Sequence, residues 1–186
     1  THAFRTPIGK FGGALSSVRI DDLLAEVFRF VASKLTFDLN EIDDVIVGCT
    51  NQAGEDNRNI ARMAALLANF PYEVSGTTIN RLCGSGLDAV MDAWARIEAG
   101  FADCILVGGA ESMSRAPYVF SKAQNAYDRG QKMYDTSIGW RFPNPQMSMR
   151  FELMGMGETA EEVAEQYKIS RQHQDEFAYQ SHEKAV

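Results

Sequence analysis

Up to residue 109 the sequence alternates short β-rich runs with longer stretches of helical spacing, and this alternation limits the chain to an α/β domain. Residues 1–6 read as the tail of a first strand, followed by a loop containing Gly9, Gly12 and Gly13. Asp21 is placed to cap a helix carrying Leu23, Leu24, Val27, Phe28 and Val31, which runs to about Leu35. Residues 45–47 form a short strand, residues 57–69 a helix with Ile60, Met63, Ala64 and Leu67 on one face, and residues 77–79 another strand. The segment Asn80-Arg81-Leu82-Cys83-Gly84-Ser85-Gly86 then leads into Leu87, Val90, Met91, Trp94 and Ile97 at helical spacing, with Ala89, Ala93 and Ala95 over much of the rest. A helix apolar or small nearly all round belongs in the middle of a domain. It stops at Gly100, and residues 103–107 read as a buried strand ending in Gly108-Gly109.

Beyond residue 109 the alternation is lost. Pro117, Pro143 and Pro145, with scattered Met, Trp and Tyr, mark residues 110–157 as an irregular excursion of the kind used for function or assembly. Thr159-Ala160-Glu161-Glu162 has the pattern of a capping box, and Ser170 is placed to cap a last helix running to the chain end. The reading is therefore a core over residues 1–109 followed by a less regular region over residues 110–186.

Composition excludes several classes of function. Eighteen Lys and Arg stand against 25 Asp and Glu, a net charge of −7, and no basic run offsets it, so a nucleic-acid partner is not expected. Residues 63–70, among the longest apolar stretches, fall far short of the roughly 20 residues of a membrane span. The three cysteines are odd in number and widely spaced, which points to a reducing, cytoplasmic setting rather than a disulfide framework. No metal site is expected either, because CxxC, HxH and HExxH are all missing and His2, His173 and His182 lie at the two ends. Thr1 in place of Met, with no basic-then-apolar stretch after it, reads as an incomplete chain.

Cys83 is the strongest candidate for chemistry. It lies at a strand-to-helix turn, followed by Gly84 and Gly86, which let a second backbone or a substrate come close. The N–H groups at a helix start favour a thiolate and can also stabilise an oxyanion on an attacked carbonyl. A buried structural cysteine beside packing glycines explains the same local pattern, and both accounts stand at this level. Cys104 lies in an apolar run and reads as core, and Cys49 closes a strand before a polar loop and reads mainly as core. Gly9, Gly12 and Gly13 lack the spacing of a phosphate cradle, and Glu158, Glu161 and Glu162 read as a helix start.

Four blocks resemble the N-terminal part of a thiolase: Arg5-Thr6-Pro7-Ile8-Gly9-Lys10-Phe11-Gly12-Gly13, the segment around Cys83, Gly109-Ala110-Glu111-Ser112-Met113-Ser114, and Met156-Gly157-Glu158-Thr159-Ala160-Glu161. They occur in the family's order and cover essentially the whole chain. Gly54-Glu55-Asp56-Asn57-Arg58-Asn59 and Asp135-Thr136-Ser137-Ile138-Gly139-Trp140-Arg141-Phe142 are most similar to the 3-oxoadipyl-CoA branch of that family. The resemblance implies a layered α/β fold with a mixed sheet, a buried central helix after Cys83 and a long loop-domain insertion, of which it makes residues 110–186 a part. It implies a CoA-dependent acyltransferase in which Cys83 forms an acyl-cysteine, with acyl-CoA and CoA as co-substrates and no permanently bound cofactor. It also implies a homodimer or homotetramer, with the strand ending near Asn80 paired across a two-fold axis; Thr77-Thr78-Ile79, left unpaired, would be a poorly protected edge.

Met113, Met147 and Met156 are candidate pocket walls for an acyl chain, and Arg141, between Trp140 and Phe142, is a candidate partner for a distal carboxylate. The family's Gly-His-Pro, Cys-x-Gly and Asn-Glu-Ala-Phe motifs do not occur in this sequence, and Gly155 stands where several thiolases place a histidine near CoA. Competing readings are a β-ketoacyl synthase, a cysteine hydrolase with a remote histidine, and a catalytically incomplete fragment or subunit with a structural role. The Glu111-Ser112-Met113-Ser114 block favours the CoA-dependent branch.

Overall fold

The computed structural model describes residues 2–185, which fall into two compact units dividing between Ile138 and Gly139. The first unit thus extends well past Gly109. Arg115 and Thr136 explain why: Arg115 pairs with Glu55, and Thr136 Oγ1 accepts from Asn51 Nδ2 at 2.9 Å and donates to the Pro117 carbonyl at 2.6 Å.

In the first unit, α1 (Ile20–Ala32) buries Ile20, Leu24, Ala25 and Phe28 on one stripe. Its N-cap is Arg19, not Asp21; Asp21 sits in the first turn, buried, with Arg19 Nη2 2.7 Å from its carboxylate. Strand β1 (Asp44–Gly48) is buried along its whole length. Helix α2 (Ile60–Leu67) begins later than the apolar spacing suggests, because Asn57 and Arg58 have positive φ and Asn59 is the cap, accepting from Arg62 N at 3.3 Å. Strand β2 (Ser75–Ile79), α3 (Ser85–Glu98) and β3 (Ile105–Gly109) complete the core.

The sheet has the order β2-β1-β3 and is parallel throughout. Gly48 lies opposite Ile79 on one side and opposite Gly109 on the other, so the three strands end level. Antiparallel pairing occurs in a separate ribbon, β4 (Tyr118–Phe120) against β5 (Met133–Asp135). The mixed sheet expected from sequence is therefore two sheets, one of each kind. The opening residues 2–6 form no strand, and Thr1 lies outside the described residues.

Side chains of β1 alternate between two clusters. Val45 and Val47 pack with α1 and α2 around Phe28 and Ile60, while Ile46 packs with Ala89 and Ala93 of α3. A strand covered on both faces reads as a continuous apolar run, which is what Val45-Ile46-Val47 is.

Helix α3 approaches the sheet closely. A Cβ on Gly48 would lie 2.3 Å from the Ser85 carbonyl carbon, so only glycine fits there. At its other end Arg96 Nη1 meets the buried Asp44 carboxylate at 2.9 Å. Only its small face is covered, however. Leu87, Val90, Met91 and Trp94 are exposed, Trp94 by 65%, so the helix expected to be buried is half-covered among the described residues. The alanine side, not the large apolar side, faces the sheet because the close approach at Gly48 leaves no room for a bulky residue.

In the second unit, α4 (Pro145–Arg150) starts with proline behind Asn144, whose Oδ1 accepts from Gln146 N at 2.9 Å. Helix α5 (Met156–Gln166) begins at Met156 rather than Thr159; the Glu158 carboxylate accepts from Gly155 N at 2.6 Å, and Thr159 Oγ1 donates to the Gly155 carbonyl. Ser170 caps α6 (Arg171–Ala185), its Oγ accepting from His173 N at 3.3 Å.

Candidate active site

The carboxyl ends of parallel strands are where α/β sheets place their chemistry, since the loops that leave them converge there. Here the loops after β1, β2 and β3 bring together Cys49-Thr50-Asn51, Asn80-Arg81-Leu82-Cys83 and Ala110-Glu111.

Cys83 is exposed and lies two residues before α3, behind the N-cap Gly84. The first N–H groups of any α-helix lack intrahelical partners and carry partial positive charge, so the thiol stands beside an anion-favouring surface. No hydrogen bond to Cys83 Sγ forms among the described residues.

The turn that presents it is strained and heavily braced. Leu82 has φ +48°, a left-handed conformation unusual for a residue with a branched side chain. Its carbonyl accepts from Ser85 N at 3.0 Å, Ser85 Oγ at 2.6 Å and Thr50 Oγ1 at 3.1 Å. Its N–H donates to Asn80 Oδ1 at 3.0 Å, and Asn80 Nδ2 donates to the Thr50 carbonyl at 3.0 Å. Ser85 Oγ also accepts from Arg81 N at 2.8 Å, while the Arg81 guanidinium reaches over the helix start to Asp88 at 2.8 Å.

The loop after β1 is held in turn by Glu111. Its carboxylate accepts from Thr50 N at 2.7 Å and Asn51 N at 3.1 Å. Cys49 is buried in the main core cluster, as expected, with its thiol 3.2 Å from the Asn51 carbonyl. Burial pushes the Cys49 thiol up to about 12, helped by the carboxylates of Glu111 and Asp56. Burial also raises Cys104, which is half-buried just ahead of β3. Cys83 is therefore the one cysteine of the three that is both exposed and beside a helix start.

Other candidates lie elsewhere. Met113 is in a 3-10 turn, Met113–Arg115, and lines an open groove of about 1260 Å³ between the first residues, α1 and β3; Cys83 is not among the residues lining that groove. Arg141, Met147 on α4 and Met156 at the start of α5 all belong to the second unit. His173 and His182 are on α6, and His2 stacks against Phe4. Among the described residues no group of His, Cys, Asp and Glu could hold a metal, and no helix is long and apolar enough to cross a membrane.

Thr50, Ser85 and Glu111 had no role assigned from sequence. Glu111 and Ser85 lie inside the motif blocks, but only the level ends of three parallel strands show what they hold.

Residues 1–186 match the family model of the thiolase N-terminal domain. The chain is 59% identical over 98% of its length to a 3-oxoadipyl-CoA/3-oxo-5,6-dehydrosuberyl-CoA thiolase of Escherichia coli strain K12, and 54% identical to a beta-ketoadipyl-CoA thiolase of Pseudomonas knackmussii. It spans 46% of the length of each of these relatives. Among solved structures it is similar to an acetyl-CoA acetyltransferase of Bacillus anthracis, with a TM-score of 0.82 and 36% identity over 95% of this chain and 43% of that one. An α/β sheet with a cysteine turn at its carboxyl end, joined to these matches, sets the class: the chain belongs to the thiolase family and carries its N-terminal domain.

Proposed function

We propose that the protein is a CoA-dependent acyltransferase that cleaves a 3-oxoacyl-CoA, with Cys83 as nucleophile. The observation that carries this reading is an exposed cysteine on a braced, left-handed turn at a helix start, in a chain whose relatives are named beta-ketoadipyl-CoA thiolases.

In the forward step Cys83 gives up its thiol proton, Sγ bonds to the ketone carbon, and the bond from that carbon to the α-carbon breaks. The electron pair leaves on acetyl-CoA, whose α-carbon takes a proton, and an acyl-cysteine remains. The thiol of a second CoA then attacks this thioester, forming the new acyl-CoA, and the proton it gives up restores the Cys83 thiol. Splitting one carbon–carbon cleavage into two acyl transfers is covalent catalysis. The α3 start supplies donors for the developing oxyanion. CoA is a substrate here, and no resident cofactor is needed.

For 3-oxoadipyl-CoA the acyl group is succinyl, and Arg141 is the proposed partner of its distal carboxylate. Met113, Met147 and Met156 are proposed pocket walls. A homodimer or homotetramer in the cytoplasm completes the reading, with β2 as the strand paired across the two-fold axis; β2 is an edge strand of its own sheet. The loop-domain role of residues 110–186 belongs to the same proposal.

The test is thiolysis by the protein carrying the full length its relatives have. Acetoacetyl-CoA and 3-oxoadipyl-CoA are supplied with CoA, and the intact protein is weighed for an acyl adduct. Cys83→Ser should abolish both turnover and adduct, because a hydroxyl is a far poorer nucleophile near neutral pH. An adduct that persists in Cys83→Ser would refute the assignment.

A further inference from the structure

We propose that Glu111 and Thr50 form a positioning bracket that holds the nucleophile's turn from the neighbouring strand. This rests on the reading of Cys83 as nucleophile and names the residues that aim it. Neither touches a reacting atom; both act through Leu82.

The argument begins with strain. A non-glycine residue in the left-handed region is disfavoured and persists only where its surroundings over-determine it. Leu82 is such a residue, immediately before Cys83, and its side chain is exposed, so packing does not hold it there. Hydrogen bonds do. The one from Ser85 Oγ to the Leu82 carbonyl and the one from Leu82 N to Asn80 Oδ1 are local and belong to the same turn. Thr50 Oγ1 is the donor to the Leu82 carbonyl that comes from another strand's loop, 32 residues away in sequence. That donor is only as well placed as its loop.

Glu111 places it. Both carboxylate oxygens are engaged, one with Thr50 N and the other with Asn51 N, so the loop is gripped at two successive amides. Such charge-assisted bonds are about twice as strong as neutral ones. Asn80 closes the circuit, donating to the Thr50 carbonyl and accepting from Leu82 N. The ends of β1, β2 and β3 are thereby tied into one frame around the peptide that carries Cys83. A frame of this kind fixes where Sγ sits relative to a bound acyl group, and misplacement by about 1 Å can cost on the order of 100-fold in rate.

The experiment uses the full-length protein. Thr50→Val removes the hydroxyl at near-constant volume, and Thr50→Ser restores it. Thr50→Val should lower kcat by about 10-fold, leave KM for CoA within about twofold, and leave alkylation of Cys83 by iodoacetamide within about twofold, since a small reagent needs no aligned approach. Thr50→Ser should recover kcat to within about threefold of the parent. Glu111→Gln should lower kcat in the same direction, because an amide has one acceptor oxygen for two N–H donors. Asn80→Asp, at an exposed position, keeps the acceptor for Leu82 N and loses the donor to Thr50; it should also lower kcat, and it decides the matter if Thr50→Val does not fold.

Parental kcat in Thr50→Val, failure of Thr50→Ser to rescue, or parental kcat in Asn80→Asp when Thr50→Val is unfolded would each overturn the bracket. A parent protein that forms no Cys83 adduct at all would instead overturn the nucleophile assignment, and the two failures are distinct.

Discussion

Three cysteines in one small unit differ in reactivity because their surroundings differ. Cys49 is buried against Glu111 and Asp56, and its thiol is pushed up to about 12, which leaves a thiolate fraction on the order of 10⁻⁴ at pH 8. Cys83 is exposed. Iodoacetamide at pH 8 should therefore label Cys83 first, with Cys49 reacting only after unfolding, and peptide mapping by mass spectrometry reads the order. Equal labelling of Cys49 in the folded chain would remove the basis for treating Cys83 as the accessible thiol. Arg141 offers a second test at this scale. If it binds a distal carboxylate, Arg141→Ala should slow 3-oxoadipyl-CoA turnover by about 10- to 100-fold more than acetoacetyl-CoA turnover, the range expected when a charge-assisted pair is lost from one substrate only. Equal losses on both substrates would exclude that role.

The elements of the first unit are coupled through ions as well as through the core. Glu55, in the loop after β1, accepts from Arg115 Nε at 2.6 Å and also pairs with Arg115 Nη2; Arg19 at the α1 start stands at 3.5 Å, and Arg115 Nη1 donates to the Ser16 carbonyl at 3.3 Å. The hydrogen bonds from Arg115 hold the Glu55 carboxyl below its usual range, and the charges of Arg115 and Arg19 add to this. A depressed folded value means that the stabilisation is present above the unfolded carboxylate range and is lost as pH falls through the folded value. Glu55→Gln should lower stability by about 1–2 kcal/mol at pH 7, with the difference from the parent shrinking toward pH 3, as read from urea midpoints. A difference that stays constant with pH would show that the pair is not its source.

This scale also separates what the sequence discloses from what it hides. Val45-Ile46-Val47 shows a strand buried on both faces, and Ser170 shows a helix start, because each signal is local. Asp21 and Thr159 mislead because competing caps two and four residues earlier, Arg19 and Gly155, take the helix start. The direction in which α3 turns its alanines is decided by Gly48, 37 residues before Ser85 in the chain, and no local pattern reports that. Glu111 was legible only as part of a motif, since its partners lie on a loop 60 residues away.

At the scale of the whole molecule, the exposed face of α3 is the feature with the largest consequence. Leu87, Val90, Met91 and Trp94 form a helical stripe of large apolar side chains next to the Cys83 turn, and contiguous apolar surface of this kind marks an interaction face. Under the proposed function, the remaining length that the relatives possess covers this stripe and supplies the acid–base groups that the described residues do not bring to Cys83. Two measurements follow from the same cause. A polypeptide of these 186 residues alone should show no thiolysis, since loss of an acid–base partner costs on the order of 10²–10⁴-fold even in an otherwise intact site. With Trp140 and every tryptophan outside these 186 residues replaced by Phe, so that Trp94 is the sole tryptophan in both polypeptides, iodide should quench its fluorescence readily in the 186-residue polypeptide and poorly in the full-length protein. Equal quenching in both would mean that the stripe is not covered by the rest of the chain, and turnover by the short polypeptide would mean that the acid–base groups lie within it after all.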